Sequence, residues 1–445
     1  MGWMNDPNGF CIYEEYYHLF YQYNPESSLV PGIAHWGHAR SKDLFNWEHL
    51  PIALYPDQWY DKSGVFSGSA LVEDDVMSIF YTGNVNHPGE NPDHEQHQIL
   101  ATSSDGVTFT KSKIVINGSE YQPNFRDPKV WKHLDTYYMV LGNSFENNTL
   151  GRVLLYASKD KITWEVKSVL DASNGSLGYM WECPDFFPMD GYYVLMFSPQ
   201  GIEPQGDRYR NLYQAGYIVG EFDCECHTFT PIQPFRELDH GHDFYATQTI
   251  IDKNDERVVI AWMDMWDENY PEGPDGSTGQ MTIPRTLRMT RDGRLLQHPV
   301  KEIVSAVGLE LYSGKARGGT KIKLDKNAGK VEVHSSNRKN FSLVIESEGG
   351  NDTVTISYDC RNGRVTLDRG GVDGVRRTEY RPLCEFYMVV YIDSSSIEVF
   401  FGNGEVTMSS RFFPQGPLTV GVAEDSNARV MLVNDMKRTV PLPNP

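Results

Sequence analysis

The chain has 445 residues, of which 40% are hydrophobic and 22% charged, a composition typical of globular domains and unlike that of disordered or collagen-like chains. Its net charge of −20 would repel a nucleic-acid backbone or an anionic membrane surface, so neither is expected as the main partner. No run of residues approaches the ~18 consecutive apolar residues of a membrane-spanning helix. A neutral small molecule or a cationic transition state suits this charge better.

The six cysteines are scattered along the chain, which is unlike the dense cysteine spacing of a disulfide framework and predicts reduced thiols. The amino terminus shows no charged segment followed by an apolar one, so no signal peptide is visible and a cytoplasmic location is expected. His87, His94 and His97 share one segment with Gly, Pro and Asn. That setting favours a solvated loop over a metal site, and neither a metal nor a cofactor is expected.

An aromatic or aliphatic strand pattern recurs five times in the first part of the chain. The copies begin 55 to 66 residues apart, at residues 16–23, 76–81, 137–142, 192–197 and 258–263. Short strands bounded by Gly, Asn, Asp and Pro, without a 3.6-residue periodicity, indicate antiparallel sheets. Five copies predict an all-β fold with a five-bladed β-propeller, whose long loops account for a period above the ~40–50 residues of a typical blade.

A second short strand with polar first residues precedes each recurring strand. These segments carry the sequences NDP at 5–7, FSG at 66–68, RDP at 126–128, ECP at 182–184 and DFY at 243–245. The innermost strand of every propeller blade lines the central channel, so equivalent positions of the five strands converge on the axis. We therefore expect Asp6, Asp127 and Glu182, which are far apart in sequence, to lie around one funnel.

The pattern changes after residue 295. Residues 297–306 are the clearest helix-like stretch, and alternating apolar and polar residues then form a series of short strands up to residue 433. Such alternation predicts a two-sheet sandwich with one buried face on each sheet. We expect a catalytic propeller at 1–295, a linker containing a short helix at 296–308, and a C-terminal accessory β-sandwich at 309–445.

Three carboxylates on one axis suggest glycoside chemistry, in which one carboxylate attacks the anomeric carbon and a second carboxyl group donates a proton. An Asp taken alone is more often a turn or cap residue. The equivalent placement in the repeat favours the functional interpretation. Each of these segments also contains a proline beside the acid, which removes a ladder donor and predicts a strand start.

Three of these segments resemble the signature motifs of glycoside hydrolase family 32, which contains invertases, sucrose-6-phosphate hydrolases, levanases and inulinases. They are WMNDPNG at 3–9, RDP at 126–128 and EC at 182–183, in the order of the family. The resemblance extends over nearly the whole chain, through YQYNP at 21–25, HWG at 35–37, FSG at 66–68, DFYA at 243–246, MTIPR at 281–285 and SRFFP at 410–414. It implies the same five-bladed propeller followed by a sandwich.

By this resemblance Asp6 is the nucleophile, Glu182 the general acid/base and Asp127 the transition-state stabiliser. Asp6 must be ionised to attack the anomeric carbon of a fructosyl unit, whereas Glu182 must carry a proton for the leaving oxygen. Asp127 is expected to hold fructose hydroxyls and to favour the oxocarbenium-like state. Further positions match the fructose pocket of the family: Asn5, Gln22, Trp36, Phe66, Ser67, Arg126, Tyr245 and Trp262.

Core packing is the alternative interpretation for Phe66 and Trp262, and Asp243 is expected to orient a neighbouring Arg or Tyr rather than to touch substrate. His240 and His242 could shape the side of the funnel that holds the leaving group. For a phosphorylated sugar, Arg208 and Arg210 are the nearest further candidates. The chain begins only two residues before Trp3, whereas family members carry a lead-in segment, so we expect residues to be missing before Met1.

The resemblance implies a retaining β-fructofuranosidase that removes the terminal fructosyl unit of sucrose or sucrose 6-phosphate through a covalent fructosyl-enzyme. An exo-acting fructanase and a non-catalytic sucrose- or fructan-binding propeller are the alternatives. The presence of all three acids favours an enzyme over a binding protein. The segment WMDMW at 262–266 is more similar to bacterial-type sucrose hydrolases than to levanases. The expected partner is thus a small sugar.

Overall fold

The computed structural model describes residues 2–118, 123–324, 326–349 and 352–439. The described residues of 2–299 form five sheets, each built on four antiparallel strands in a simple up-and-down order, and two of the sheets gain a fifth strand. The first sheet contains β1 (Gly2–Tyr13), β2 (Tyr16–Asn24), β3 (His35–Ser41) and β4 (Trp47–Leu54). The second contains β5 (Val65–Glu73), β6 (Val76–Asn86), β7 (His94–Ser103) and β8 (Thr110–Ile116). The third contains β9 (Phe125–His133), β10 (Thr136–Phe145), β11 (Leu150–Ser158) and β12 (Glu165–Ala172).

The remaining two sheets follow the same plan. The fourth contains β13 (Met180–Met189), β14 (Tyr192–Gln200), β15 (Gly216–Asp223) and β16 (Thr228–Pro231), with β17 (Arg236–Glu237) also paired to β15. The fifth contains β18 (Tyr245–Ile251), β19 (Arg257–Trp262), β21 (Arg285–Met289) and β22 (Leu295–Pro299). The remaining strand, β20 (Ser277–Thr278), lies beside β1 in parallel orientation and so adds a late segment of the chain to the first sheet.

The five first strands form a closed ring. β1 contacts β5, β5 contacts β9, β9 contacts β13, β13 contacts β18, and β18 contacts β1. Apolar side chains of neighbouring sheets pack between them, as Val140, Phe186 and Phe197 do between the third and fourth sheets. The sheets therefore radiate from a common axis as the blades of a β-propeller, and the inner strands are those that the sequence predicts to carry the polar segments.

The C-terminal part is a β-sandwich of two six-stranded sheets. One sheet contains β23 (Val307–Arg317), β34 (Asn427–Met436), β25 (Gly329–Ser335), β30 (Phe386–Asp393), β31 (Ser396–Phe401) and β32 (Val406–Arg411). The other contains β24 (Lys321–Leu324), β33 (Leu418–Val422), β26 (Phe341–Ser347), β27 (Thr353–Asp359), β28 (Arg364–Asp368) and β29 (Val375–Glu379). Fully buried residues such as Val331, Leu343 and Ile356 fill the space between the sheets. The predicted all-β fold, a propeller followed by a sandwich, is confirmed.

The chain between the domains is shorter than the predicted linker. Residues 296–299 complete strand β22, and a 3-10 helix occupies only Lys301–Ala306 before β23 begins at Val307. Strand β32 is buried at every residue. Val406 and Met408 pack in the sandwich core, whereas Thr407 and Ser409 bond to Arg285 and Asp239 of the propeller, so the polar face of this alternating strand is buried as well. None of the helical segments in the described ranges is long and apolar enough to cross a membrane.

The two domains are joined by buried polar contacts as well as by apolar ones. Arg285 of β21 donates to Asp239 at 3.0 Å and, across the interface, to Glu398 of β31 at 2.6 Å. The backbone N–H groups of His240 and His242 donate to the carbonyls of Thr407 and Ser409, so the propeller segment before β18 runs alongside β32 and bonds to it. A buried arginine is tolerated because both acids and several neutral acceptors surround it.

Candidate active site

Each of the five inner strands is interrupted at the position of its site residues. The hairpin pairing shifts between Met4 and Pro7 in β1, and equivalent shifts follow in the other blades at residues 66–68, 126–129, 182–185 and 245–248. Such bulges turn side chains away from the regular alternation of a strand and are frequent near active sites. The acids therefore lie within bulged strands, a few residues in from the strand starts at which their prolines suggested they would lie.

Backbone conformation supports this local geometry. Asp127, Cys183 and Ala246 have φ values of +67°, +47° and +53°, a region that residues other than glycine rarely occupy. All three lie in the bulges of β9, β13 and β18. Positive φ at corresponding bulge positions of three consecutive inner strands costs conformational energy, which surrounding contacts must offset, and such strain is typical of functional sites.

Asp6 projects from the bulge of β1 and is half-buried. Ser67 Oγ donates to Asp6 Oδ2 at 2.6 Å, and Asn5 Nδ2 donates to Oδ1 at 3.1 Å. Burial raises the pKa of the Asp6 carboxyl group, and the charge of Glu182 raises it further, whereas the two hydrogen bonds lower it. Ser67 and Asn5 thus favour the ionised form that a nucleophile requires.

Glu182 lies in the bulge of β13 and accepts four hydrogen bonds. The Arg126 guanidinium donates to Oε1 through Nε at 2.9 Å and Nη2 at 2.7 Å. On Oε2, the Tyr245 hydroxyl donates at 2.5 Å and Gln200 Nε2 at 2.8 Å. These donors fix the orientation of the carboxyl group. Arg126 itself is held by Asn124 and Gln96, which accept from its Nη1 at 2.7 and 3.4 Å.

Asp127 is the most buried of the three acids. Its Oδ2 accepts from the Cys183 backbone N–H at 2.9 Å, and its own N–H donates to Thr82 Oγ1 at 3.0 Å. Burial, followed by the charge of Glu182, raises the pKa of Asp127 to about 7, although Arg126 opposes this shift. A carboxyl group with this pKa is partly protonated at neutral pH in the substrate-free site.

The Cys183 thiol lies between the two aspartates. Its Sγ is 3.6 Å from Asp6 Oδ2 and 3.7 Å from Asp127 Oδ2. Burial and the three neighbouring carboxylates raise the thiol pKa well above its usual value. The thiol is therefore neutral, and it joins the predicted acids into one cluster: the structure brings Asp6, Asp127 and Glu182 together.

Four of the eight predicted pocket residues bond directly to the acids. Asn5 and Ser67 contact Asp6, and Arg126 and Tyr245 contact Glu182. Gln22, which is buried, donates to the Val65 carbonyl at 2.9 Å and so contacts the start of β5 instead of an acid. Their assignment as substrate-binding residues stays a prediction.

The two predicted tryptophans are fully buried. Trp36 donates from Nε1 to the carbonyl of Phe66 at 3.0 Å and so holds the backbone beside Ser67. Phe66 itself is half-buried. Trp262 packs with Trp3, Cys183 and Tyr245, and its indole N–H has no hydrogen-bond partner among the residues that the structure describes. Both rings pack among buried side chains, and the assignment of Trp36, Phe66 and Trp262 as substrate-binding residues stays a prediction.

Several residues of the site were missed by sequence reasoning. Gln200 and Ser198 lie on β14, and the Ser198 hydroxyl accepts from the Ala246 N–H at 3.1 Å. The hairpin register places Ser198 directly opposite Glu182, so an explicit register for β13 and β14 would have revealed both Ser198 and Gln200.

Two of the residues considered for the leaving-group side or for a phosphorylated sugar lie at the domain interface. His242 is buried against Ser410 of the sandwich, and Arg210 pairs with Asp373 at 3.0 Å. Both therefore serve the domain interface.

Within the described residues, no three His, Cys, Asp or Glu side chains are grouped so that they could hold a metal ion. The chemistry that the arrangement can perform is that of carboxyl groups. Two hydrogen-bond donors contact the half-buried Asp6 and favour its ionised form. Four donors orient the nearby Glu182. This is the arrangement of a glycosidase site with two carboxyl groups.

Comparison with known proteins decides the family. Residues 1–299 match the model of the glycosyl hydrolases family 32 N-terminal domain, and residues 307–437 match that of the family 32 C terminal domain. The chain belongs to glycosyl hydrolase family 32. The family 32 resemblance predicted from the motifs is confirmed, and the protein is a glycoside hydrolase.

Two similar family 32 proteins come from Escherichia coli. The chain is 39% identical to a sucrose-6-phosphate hydrolase over 426 residues, which cover 93% of this chain and 87% of that protein. It is 38% identical to a raffinose invertase, with 93% of this chain and 88% of that protein covered. Among solved structures, the Bombyx mori GH32 β-fructofuranosidase BmSUC1 superposes with a TM-score of 0.93 and 39% identity, covering 99% of this chain and 93% of that one. A mutant of BmSUC1 has been solved in complex with sucrose.

Proposed function

We propose that this protein is a retaining β-fructofuranosidase that hydrolyses the terminal fructosyl unit of sucrose or sucrose 6-phosphate. The observation that carries the proposal is the cluster of Asp6, Asp127 and Glu182 at the bulges of three inner strands. The names of the relatives support the substrate class, since they include a sucrose-6-phosphate hydrolase, a raffinose invertase and a β-fructofuranosidase. Of the alternatives, the non-catalytic binding propeller is excluded by the family.

In the proposed mechanism, Asp6 attacks the anomeric carbon of fructose while Glu182 donates its proton to the oxygen of the departing glucosyl group. The bond from the anomeric carbon to that oxygen breaks as the bond to Asp6 forms. Glu182, now ionised, then removes a proton from water, which attacks the same carbon and releases Asp6. Ser67 and Asn5 stabilise the charge on Asp6 before attack and as it leaves.

The donors around Glu182 act in the second half of this cycle. Arg126, Gln200 and Tyr245 all donate hydrogen bonds to its carboxyl group, so they stabilise the carboxylate that remains after proton transfer. In the proposal, Asp127 accepts hydrogen bonds from fructose hydroxyls, and in its ionised form it stabilises positive charge on the sugar ring. Hydroxyl groups of the bound sugar would replace part of the solvation that burial removes from Asp127.

A substrate panel tests the proposal. Sucrose, sucrose 6-phosphate, raffinose, inulin and levan are compared by kcat/KM at equal concentrations of fructosyl ends. We expect efficient release of fructose from sucrose and slow release from levan. Faster turnover of levan than of sucrose would move the protein to the exo-fructanase alternative, and failure to release fructose from any of the five would contradict the proposal.

The matched control for this panel is Glu182→Gln. It keeps the size of the side chain and an acceptor for Arg126, but it has no proton to donate. We expect kcat on sucrose to fall by about 10²–10⁴-fold, the range typical of general acid catalysis. Wild-type kcat in this variant would exclude Glu182 as the acid.

A cytoplasmic location is also proposed, supported by the six free thiols, and cell fractionation tests it.

A further inference from the structure

A buried carboxylate, Asp243, links the sandwich to the propeller two residues before Tyr245. Asp243 is fully buried and accepts three hydrogen bonds. Tyr270 OH donates to Oδ1 at 2.6 Å, while Arg369 Nη1 and the Arg411 backbone N–H donate to Oδ2 at 2.6 and 2.7 Å. Arg369 and Arg411 belong to the sandwich. Two of the three donors that fix Asp243 thus come from the domain that carries none of the proposed catalytic acids.

Asp243 lies two residues before Tyr245, the first residue of β18. The Tyr245 ring is fully buried and its hydroxyl donates to Glu182 Oε2 at 2.5 Å. Two residues of extended chain span about 7 Å at most, so a shift of the Asp243 backbone is transmitted to Tyr245 with little loss. A path therefore runs from the Arg369–Asp243 hydrogen bond along the backbone to Tyr245, and from the Tyr245 hydroxyl to Glu182.

Joining the domains does not require this path. Four residues earlier, Asp239 is bonded to Arg285 and to Ser409 of β32, at 3.0 and 2.8 Å, and Arg285 also bonds to Glu398. These contacts already attach the segment before β18 to the sandwich. Arg369 adds a contact at the point where the segment turns toward Glu182, and its side chain is 22% exposed, so water can reach part of it.

We propose that the sandwich orients the acid/base: Arg369 is a positioning residue that acts on Glu182 through Asp243 and Tyr245. The inference rests on the proposed function. In the absence of Arg369, the Asp243 carboxylate keeps two of its three donors, and the Asp243 N–H stays bonded to the Ser409 carbonyl at 3.2 Å. The backbone leading to Tyr245 therefore shifts only slightly, but the Tyr245 hydroxyl no longer holds Glu182 in line with the leaving oxygen. Small errors of placement are costly in catalysis, since a 1 Å displacement can cost about 100-fold in rate.

If Arg369 positions Glu182, removing Arg369 should lower kcat by an amount that depends on the leaving group of the substrate. Sucrose loses a sugar oxygen that must be protonated as the bond breaks. An aryl fructoside such as p-nitrophenyl β-D-fructofuranoside loses a phenolate that needs little protonation, so it is insensitive to a misplaced acid. A fold that was merely loosened would slow both substrates equally. The ratio of kcat on sucrose to kcat on the aryl fructoside therefore separates positioning from stability.

The test compares Arg369→Ala, Arg369→Lys and wild type on the two substrates. We expect Arg369→Ala to lower kcat on sucrose by about tenfold, within the range of general acid catalysis, and kcat on the aryl fructoside by less than about threefold. KM should change little because the fructose pocket is intact. Arg369→Lys restores a cation beside Asp243 and should recover most of the loss.

Two further variants keep the test decisive. Tyr270→Phe removes the propeller-side donor to Asp243 and should change the substrate ratio in the same direction if Arg369→Ala fails to fold. Ser409→Ala is the matched control, since it removes a buried hydroxyl from the same interface, where the Ser409 hydroxyl donates to Asp239 and not to Asp243. It should lower Tm and leave the substrate ratio at the wild-type value.

A double-mutant cycle tests the path itself. In a Tyr245→Phe background the hydroxyl that contacts Glu182 is gone, so Arg369→Ala should change the substrate ratio no further. If the effects of Tyr245→Phe and Arg369→Ala on the substrate ratio multiply, the inference is overturned. Equal losses of kcat on both substrates in Arg369→Ala would also overturn it. A wild-type enzyme inactive on both fructosides would overturn the proposed function and this inference with it, an outcome distinguishable from failure of the inference alone.

Discussion

The backbone N–H of Cys183 donates to the Asp127 carboxylate at 2.9 Å, which ties the bulge of β13 to the bulge of β9. Because Cys183 directly follows Glu182, this bond relates the positions of two of the proposed catalytic acids through main-chain atoms. The positive φ values at both residues place the N–H and the carboxyl group in reach of each other. The site is therefore built from the backbone of its inner strands as well as from their side chains.

The assignment of the nucleophile predicts the effect of Asp6→Asn. An amide cannot attack the anomeric carbon, so no covalent fructosyl-enzyme should form on any substrate, and kcat on sucrose should fall by at least about 10⁴-fold. Ser67→Ala removes only the donor to Asp6 and should cost about tenfold. Fructose release and intact-mass detection of the intermediate provide the measurements. An Asp6→Asn enzyme of near wild-type rate would remove Asp6 from the mechanism.

The proposed mechanism also fixes the stereochemistry of the product. Two displacements at one carbon retain its configuration, so β-fructofuranose should be the first sugar detected by NMR before mutarotation. With methanol as acceptor, the transfer product should be methyl β-fructofuranoside. Initial formation of the α anomer would indicate a single displacement and would contradict the role of Asp6.

The raised pKa of Asp127 predicts a gain of stability on substitution. The folded pKa is about 7, above the unfolded value of about 3.9, so the native state binds more protons between these values and loses stability as pH rises. Asp127→Asn should thus raise Tm by roughly 2–4 °C at pH 8, with no gain near pH 4, while abolishing most activity.

The control for this prediction is Asp160→Asn, which makes the same change on an exposed turn. Backbone N–H groups of Thr163 and Ile162 lower the pKa of Asp160 to about 2, so its charge stabilises the folded state at neutral pH. This variant should lower Tm at pH 8. Parallel thermal melts by differential scanning fluorimetry measure both variants. A fall of Tm for Asp127→Asn at pH 8 would contradict the raised pKa of Asp127 in the folded state.

A buried pair of histidines predicts acid sensitivity. His18 Nδ1 and His38 Nε2 are 2.9 Å apart, and burial lowers their pKa values to about 4 and about 2. Both are neutral when folded, whereas the unfolded chain protonates near pH 6.5, so stability should fall as pH decreases from 6.5 toward 4. We expect a smaller decrease of Tm over this interval in His38→Gln, and an unchanged pH dependence in the exposed His133→Gln control.

The sequence by itself determined the strands of the propeller and the place of its acids. Apolar repeats such as 137–142 and the polar segment at 126–128 are local patterns, and strand formation follows local patterns of side-chain alternation. The prediction that Asp6, Asp127 and Glu182 lie close together then followed from the repeat, because the inner strands of a propeller surround one axis. Residues 406–409 of β32 alternate like a strand with one exposed face, and only the packing of the two domains buries its polar side chains.

Only the tertiary structure decided which groups surround each acid. Asp127 is the acid whose pKa rises to about 7, and Glu182 lies against Arg126, Gln200 and Tyr245; neither fact can be read from residue spacing. Hydrogen-bond partners and loss of solvent arise from contacts between blades, which are distant in sequence. The contact from Arg369 to Asp243 spans 126 residues and two domains, and it exists only because packing of the sandwich on the propeller brings these two charges together.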